Sequence, residues 1–230
     1  MSIAENICRI RENIAAAGGG RKVFLVAATK MNGAEAVREA VAAGVDACGE
    51  NRVQEFLEKD ALNAYAGAPR HLIGHLQRNK VNKIVGRVEL IQSVDSASLL
   101  ALIDRRARTL GIVQDILIEV SIAGEVQKSG APLAELPKLM DAAAQSPGIC
   151  VRGLMCIPPI STNEGSNRPY FAAMRKLFVD NQNKKCDNIT MDYLSMGMTD
   201  DYQDAILEGA NMIRVGTGIF GARSYPALEA

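Results

Sequence analysis

Apolar residues along the chain follow two spacings that take turns. Ile3, Ile7, Ile10 and Ile14 recur every three or four positions, with Glu5, Arg9, Arg11 and Glu12 between them. That spacing predicts a helix with one buried face. Residues 23–29, Val23-Phe24-Leu25-Val26-Ala27-Ala28-Thr29, are instead an unbroken apolar run between Lys22 and Lys30. A short run without polar alternation predicts a strand covered on both faces, as in a parallel sheet. Helical spacing returns after Gly33 over 34–43, and the exchange continues. Strand-like 46–49 precedes a helix over 52–66, and 70–76 precedes a short basic helix. Residues 88–94 precede a helix over 96–108 that Gly111 stops, and 115–122 leads to a helix that Pro132 opens and that runs to 145. Residues 149–157 are followed by a polar loop over 158–168 and a helix carrying Phe171, Met174, Leu177 and Phe178. Residues 189–196 precede a short helix near 201–208, and 212–220 closes the series. About eight β/α alternations behind a leading helix predict an α/β fold, the (β/α)8 TIM barrel with an extra N-terminal helix. An open doubly wound sheet is the competing arrangement. The absence of Gly-x-Gly-x-x-Gly after the first strand weighs against it.

Composition narrows the class. The 230 residues are 48% apolar and 23% charged, enough for one full core, and no linker or internal repeat divides them. The expectation is a single barrel domain over 1–230. Lys+Arg and Asp+Glu balance at 26 each, which points away from nucleic-acid or membrane-surface partners. The basic cluster Arg78, Lys80 and Lys83 reads as a solvated helix face. Five cysteines, odd in number and without a Cys-x-x-Cys pair, read as reduced core residues of a cytoplasmic protein. Charges interrupt the N-terminal helix too early for a signal peptide, and no segment reaches membrane-spanning length. The expected state is a cytoplasmic monomer or weak homodimer.

Ligands of barrels and open α/β sheets bind at the carboxyl ends of the strands. The residues there include Lys30, Gly49-Glu50-Asn51, Gly74-His75, Ser93 with Asp95, Glu119 with Ser121, Met155, Ser195-Met196-Gly197, and Arg214-Val215-Gly216-Thr217-Gly218. Polar strand ends are ordinary, and Ser93, Asp95 and Ser121 need no further account. Lys30 taken alone is equally a lysine that ends a strand in water and an amine activated by partial desolvation. The last two strands tip that balance, because each ends in glycines that let backbone N–H groups approach a ligand. Loops after the seventh and eighth barrel strands are the usual phosphate cradle. A phosphate beside a lysine points to pyridoxal 5′-phosphate, whose aldehyde bonds to a lysine amine. Arg214, two positions before Gly216, shares its face of the strand and can reach the pyridine nitrogen.

Five blocks carry a resemblance over nearly the whole chain: Gly49-Glu50-Asn51-Arg52-Val53-Gln54-Glu55, His71-Leu72-Ile73-Gly74-His75-Leu76-Gln77-Arg78-Asn79-Lys80, Arg152-Gly153-Leu154-Met155, Leu194-Ser195-Met196-Gly197-Met198, and Ile213 to Gly221. With Lys30 they resemble the pyridoxal phosphate homeostasis proteins, YggS-type relatives of the alanine racemase N-terminal barrel. The resemblance implies a cofactor held as a Schiff base on Lys30. It implies Asn51 near the ring or its hydroxyl, and Arg214 at the pyridine nitrogen. Ser195, Gly197, Met198, Gly216 and Thr217 would hold the phosphate, while His75 and Met155 would line the mouth. No carboxylate or cysteine completes a metal site with His71 and His75. Lys128, in a further matching block, is a solvated lysine or a second amine near the mouth. Many relatives have a second lysine two residues after the Schiff-base lysine; here Asn32 stands there.

The resemblance implies intracellular cofactor homeostasis, with apo-enzymes as recipients. A racemase is the alternative from another class. Racemisation by two bases needs an acid/base on each ring face, and Lys30 serves only one. His75 and Tyr193 are the candidates for the other, and the expectation is a barrel without the second domain that supplies a catalytic tyrosine in alanine racemases.

Overall fold

The computed structural model describes residues 1–124, 129–161, 163–182 and 186–221. Eight parallel strands follow one another around a closed sheet: β1 (Phe24–Ala28), β2 (Ala47–Glu50), β3 (Arg70–Leu72), β4 (Leu90–Val94), β5 (Gln114–Ser121), β6 (Ile149–Met155), β7 (Ile189–Ser195) and β8 (Met212–Val215). Two pairings exclude the open sheet. β1 lies beside β8 with Val26 opposite Arg214, and β4 lies beside β5 with Ile91 opposite Ile116. A two-residue strand, Ala131–Pro132, adds to the end of β5. The helices are α1 (Ile3–Gly18), α2 (Ala34–Ala42), α3 (Val53–Ala61), α4 (Val81–Ile84), α5 (Ala97–Leu110), α6 (Leu136–Ala144), α7 (Arg168–Gln182), α8 (Tyr202–Leu207) and α9 (Thr217–Phe220). None is long and apolar enough to cross a membrane. The structure is the (β/α)8 barrel with an N-terminal helix.

The unbroken run of β1 has a simple cause. Leu25 and Ala27 face the helices, while Val26 faces the barrel axis, and all three are fully buried. The axis is filled by Val26, Ala47, Ile73, Leu90, Leu117, Met155 and Met212, so the barrel is a packed core and not a channel. Outside, α1 packs against α2, α8 and α9. Ser2 and Glu5 form a capping box at its start, with bonds of 3.2 and 2.8 Å. Asn6 Nδ2 donates to the Ile219 carbonyl at 2.9 Å, tying the leading helix to the far end of the chain.

Three elements are shorter than their apolar patterns. β3 ends at Leu72 because Gly74 runs against the backbone of Asn51. A Cβ on Gly74 would stand 2.4 Å from the Asn51 carbonyl oxygen. α3 ends at Ala61, and left-handed turns at Asn63 and Ala66 fold Ala64 and Tyr65 back into the core. β8 ends at Val215; Gly216 breaks the strand, and α9 carries Ile219 back onto α1. Of the five cysteines, only Cys48 and Cys156 are buried, and burial pushes both thiols up to about 12. Cys150 and Cys186 are half-buried, and Cys8 is exposed.

Candidate functional site

Lys30 follows directly on β1, at the carboxyl end of the barrel. The ladder holds to its threshold, since Thr29 N still donates to the Gly49 carbonyl at 2.9 Å. Asn32 Nδ2 donates 3.0 Å to the Lys30 carbonyl, so this asparagine pins the turn that presents the lysine. A lysine could not serve there in the same way, because its longer stem would carry the donor away from the turn.

The neighbouring strand ends form a small cup. Gly216 touches the end of β1: a Cβ on it would lie 3.5 Å from the Cβ and the carbonyl oxygen of Ala28. Thr217 is exposed, and its hydroxyl stands 3.1 Å from that of Thr199, which also accepts the Gly218 N–H at 3.2 Å. Two hydroxyls and a glycine turn therefore converge between the ends of β7 and β8. Gly197 makes this possible with a positive φ of 93° and no room for a side chain, since a Cβ would meet Ala205 Cβ at 2.6 Å. Its carbonyl accepts the Arg214 N–H at 3.0 Å, which ties the β7 loop to β8. Met198 is partly exposed, but its N–H is directed into its own loop, toward Asp201 Oδ1 at 2.7 Å.

Arg214 points into the barrel and is 3% exposed. Its Nη2 donates to the Cys156 carbonyl at 2.9 Å, and its Nη1 to Ser195 Oγ at 2.7 Å. Ser195 Oγ donates in turn to Gln92 Oε1 at 2.7 Å, and Gln92 Nε2 lies 3.0 Å from His71 Nδ1. A guanidinium only donates, so the direction of this whole series is set. The Ser195 proton goes to Gln92, the amide N–H goes to His71, and the imidazole carries its own proton on Nε2. Burial holds the His71 pKa down to about 4, which agrees with a ring that must accept. Ser195, expected at the phosphate, thus spends its proton inside the barrel. The hydroxyl missed by sequence reasoning is Thr199, which the strand-end inventory stopped short of.

Burial also pulls the Arg214 pKa down, and no carboxylate among the described residues lies within ion-pair distance. A buried guanidinium without an anion is costly unless a ligand acceptor meets it. Asn51, just after β2, has an open valence, because its Oδ1 is buried without a hydrogen-bond partner among the described residues. Both fit a group that combines a ring acceptor, a hydroxyl and a phosphate.

The remaining candidates spread out. His75 is on the rim, 58% exposed, with Nδ1 3.6 Å from Asp95 Oδ2. It borders a cleft of about 500 Å³ between Asn51, Arg52, Gln77 and Lys80. Met155 is fully buried in the axial layer beneath the mouth. Glu119, at the end of β5, is buried and accepts the Ser129 hydroxyl at 2.5 Å; burial raises its pKa. Tyr193 packs edge-on against Phe24, with ring centroids 5.4 Å apart. Phe24 begins β1, so Tyr193 is at the opposite end of the barrel from Lys30, about 20 Å along the strand. Lys128 lies outside the described residues. Among the described residues, no three His, Cys, Asp or Glu side chains gather as a metal site.

The chain is similar to known proteins over nearly its whole length. Residues 1–224 match the family model described as alanine racemase, N-terminal domain. The pyridoxal phosphate homeostasis protein of Aquifex aeolicus is 40% identical over 230 residues, 98% of this chain and 100% of that protein. Its counterpart in Pseudomonas aeruginosa is 39% identical over 98% of each chain. The structure of PipY from Synechococcus elongatus with pyridoxal phosphate bound superposes with a TM-score of 0.85 at 35% identity, over 96% of this chain and 100% of that one. With Lys30 at the end of the first strand and a cup on the last two, the chain belongs to the alanine racemase N-terminal domain family and, within it, to the pyridoxal phosphate homeostasis proteins.

Proposed function

We propose that this protein binds pyridoxal 5′-phosphate, holds it as a Schiff base on Lys30, and keeps and hands over the cofactor within the cell without turning over an amino acid. The observation that carries the reading is the contact of β1 with β8 at Gly216 and Ala28, two residues before Lys30, with the Thr199–Thr217–Gly218 cup following on β8. When bound, the group supplies an aldehyde that condenses with an amine, with loss of water, in a reversible reaction. Lys30 Nζ is the amine. The Thr199 and Thr217 hydroxyls and the glycine turns around them take the phosphate, the charge-assisted kind of hydrogen bond. Asn51 Oδ1 would accept a hydrogen bond from the ring hydroxyl. Arg214, a donor only, would give a hydrogen bond to the ring nitrogen and so favour its unprotonated form. An unprotonated ring is a weak electron sink, which suits retention over amino-acid chemistry.

A racemase would need a second acid/base across the ring from Lys30. Tyr193 is at the wrong end of the barrel, and His75 is paired on the rim. The name shared by the full-length relatives and the cofactor in PipY support the binding reading. Apo-enzymes that use the same cofactor are the recipients this reading implies.

Borohydride reduction of the cofactor-loaded protein, followed by peptide mapping, tests the assignment. The label is expected on Lys30; a label mainly on Lys22 or Lys128 would overturn it. Racemisation of any amino acid at about one turnover per second or faster would overturn the binding reading.

A further inference from the structure

The backbone on both sides of Lys30 is gripped by charged groups that the site described so far does not use. Glu50, the last residue of β2, is 1% exposed. Its Oε1 takes three donors: Thr29 Oγ1 at 2.5 Å, Lys59 Nζ at 2.6 Å and Tyr65 Oη at 3.3 Å. Lys59, on α3 and 7% exposed, also donates to the Thr29 carbonyl at 2.7 Å. One turn earlier on the same helix face, Glu55 accepts the Met31 N–H at 2.8 Å, and it stands 3.8 Å from Lys59 Nζ. Thr29 is thus held by its side chain and its carbonyl, and Met31 by its amide. Lys30 lies between two anchored peptides. Met31 sits at φ 63°, a conformation that a non-glycine residue adopts only when its surroundings impose it.

A buried ion pair is an inefficient way to stabilise a fold, because desolvation offsets most of its attraction. An apolar pair of the same size would fill the space between β2 and α3 at less cost. It could not hold the Thr29 carbonyl. Nor could it orient Glu55 toward the Met31 amide. Holding those two groups is the distinctive result of placing charge here.

We propose that Lys59, Glu50 and Glu55 are positioning residues for Lys30: by fixing the peptides on either side of it, they set where its amine stands at the barrel mouth and so how fast it captures the cofactor aldehyde. The inference rests on the reading that Lys30 carries the cofactor. It assigns α3 a part in that chemistry although α3 supplies no group that touches the ligand.

The test uses Glu55→Ala, the double variant Glu50→Gln/Lys59→Met, which leaves no lone buried charge, and Lys59→Arg as the conservative replacement. Two quantities are read on the intact protein. One is the rate at which borohydride traps pyridoxal phosphate on the Lys30 peptide. The other is the affinity for pyridoxine 5′-phosphate, which shares the phosphate and ring but has no aldehyde. Loss of one charge-assisted hydrogen bond corresponds to about tenfold or more. The double variant is expected to slow Lys30 trapping by at least about tenfold and Glu55→Ala by about threefold, with Lys59→Arg close to the parent. Affinity for pyridoxine phosphate should stay within about twofold throughout. Unchanged trapping in variants that fold would overturn the inference. So would a parallel loss of trapping and analogue affinity, the mark of a site that has simply collapsed. If the double variant does not fold, Glu55→Ala decides alone, because its side chain is at the surface end of the network. No label on Lys30 in the parent protein would instead remove the functional reading itself.

Discussion

Two polar networks flank the mouth of this barrel, and they are built on opposite plans. The outer one, between the sheet and α3, sets Glu50 against Lys59 and surrounds the pair with Thr29 and Tyr65. The inner one crosses the barrel axis from Arg214 through Ser195 and Gln92 to His71, with one charge at its head and neutral groups behind it. In the outer network, opposite charges stand against each other, and Lys59 and Glu55 each reach the backbone beside Lys30. In the inner network no carboxylate among the described residues pairs directly with the guanidinium, although Glu119 and Asp201 act on it from farther off, and the series from Nη1 onward passes from side chain to side chain. The difference teaches where each network can meet a ligand. A compensated pair holds the chain in place; an uncompensated cation keeps an appetite for an acceptor.

The largest expected effect comes from breaking the outer pair on one side only. Lys59→Met leaves a buried carboxylate without its cation, a change that typically costs 3–5 kcal/mol. Burial already pushes the Glu50 pKa above the ordinary carboxylate range, against the pull of Lys59 and Thr29. Removing Lys59 pushes it further. A group whose folded-state pKa is raised stabilises below its unfolded value and loses that contribution as pH rises. Urea titrations should therefore find the variant near the parent in acid and progressively weaker toward neutral pH. A constant deficit at all pH values would mean that packing, and not charge, is what Lys59 supplies.

His71 tests the inner network from its far end. Its pKa is held down to about 4 from an ordinary 6.5, so the unfolded chain binds a proton that the folded one refuses. Stability contributed by the neutral ring is present above pH 6.5 and is lost as pH falls toward 4. The full gap corresponds to ~3 kcal/mol. His71→Gln keeps an acceptor for the Gln92 amide and cannot titrate, so the loss over that window should be smaller in the variant. Equal acid sensitivity in both proteins would move the titrating group elsewhere. Gln92→Leu cuts the same series in the middle and leaves the Ser195 proton without its acceptor and His71 Nδ1 without its donor. It should cost about 1–3 kcal/mol by denaturant unfolding at neutral pH. It should also loosen cofactor retention, because the Ser195 hydroxyl that receives Arg214 loses the group that orients it.

The sequence makes the scaffold legible because barrel strands such as β1 are apolar on both faces, so runs such as 23–29 stand out against the helical spacing around them. Lys30 and the Gly216-Thr217-Gly218 turn are visible because they interrupt that pattern where ligands bind. The two networks are not visible. Gln92 and Ser93 look like a polar lapse in an apolar run, and the partners of Gln92 are 21 and 103 positions away. Lys59 sits in a charged stretch, Glu55 to Asp60, that reads as a solvated helix face until β2 brings Glu50 against it. The ends of β3 and β8 are misread for a related reason. Their apolar residues continue past the strand, but they turn to pack on other elements, Leu76 in the outer core and Ile219 on α1.

Glu119 offers the smallest effect and the finest test, because it stands between the two plans. Like Glu50 it is a buried carboxylate at a strand end, but the donor it accepts is a hydroxyl, Ser129 Oγ, and not an ammonium. Burial is the main reason its pKa is raised; Asp95 pushes the same way, while Ser129, Arg214 and His75 pull it down. Ionised Glu119 therefore weighs against the fold at neutral pH, and protonation relieves it in acid. Glu119→Gln removes the charge and keeps an oxygen for Ser129. The variant should be more stable than the parent at pH 7 by on the order of 1 kcal/mol, and the advantage should fade as pH falls through the carboxylate range. Thermal unfolding at a series of pH values reads both the sign and the trend. A variant that is weaker at pH 7 would show that Glu119 is compensated after all, by Arg214 across the mouth. The inner network would then be a charge-paired one like the outer, and the contrast between them would fall.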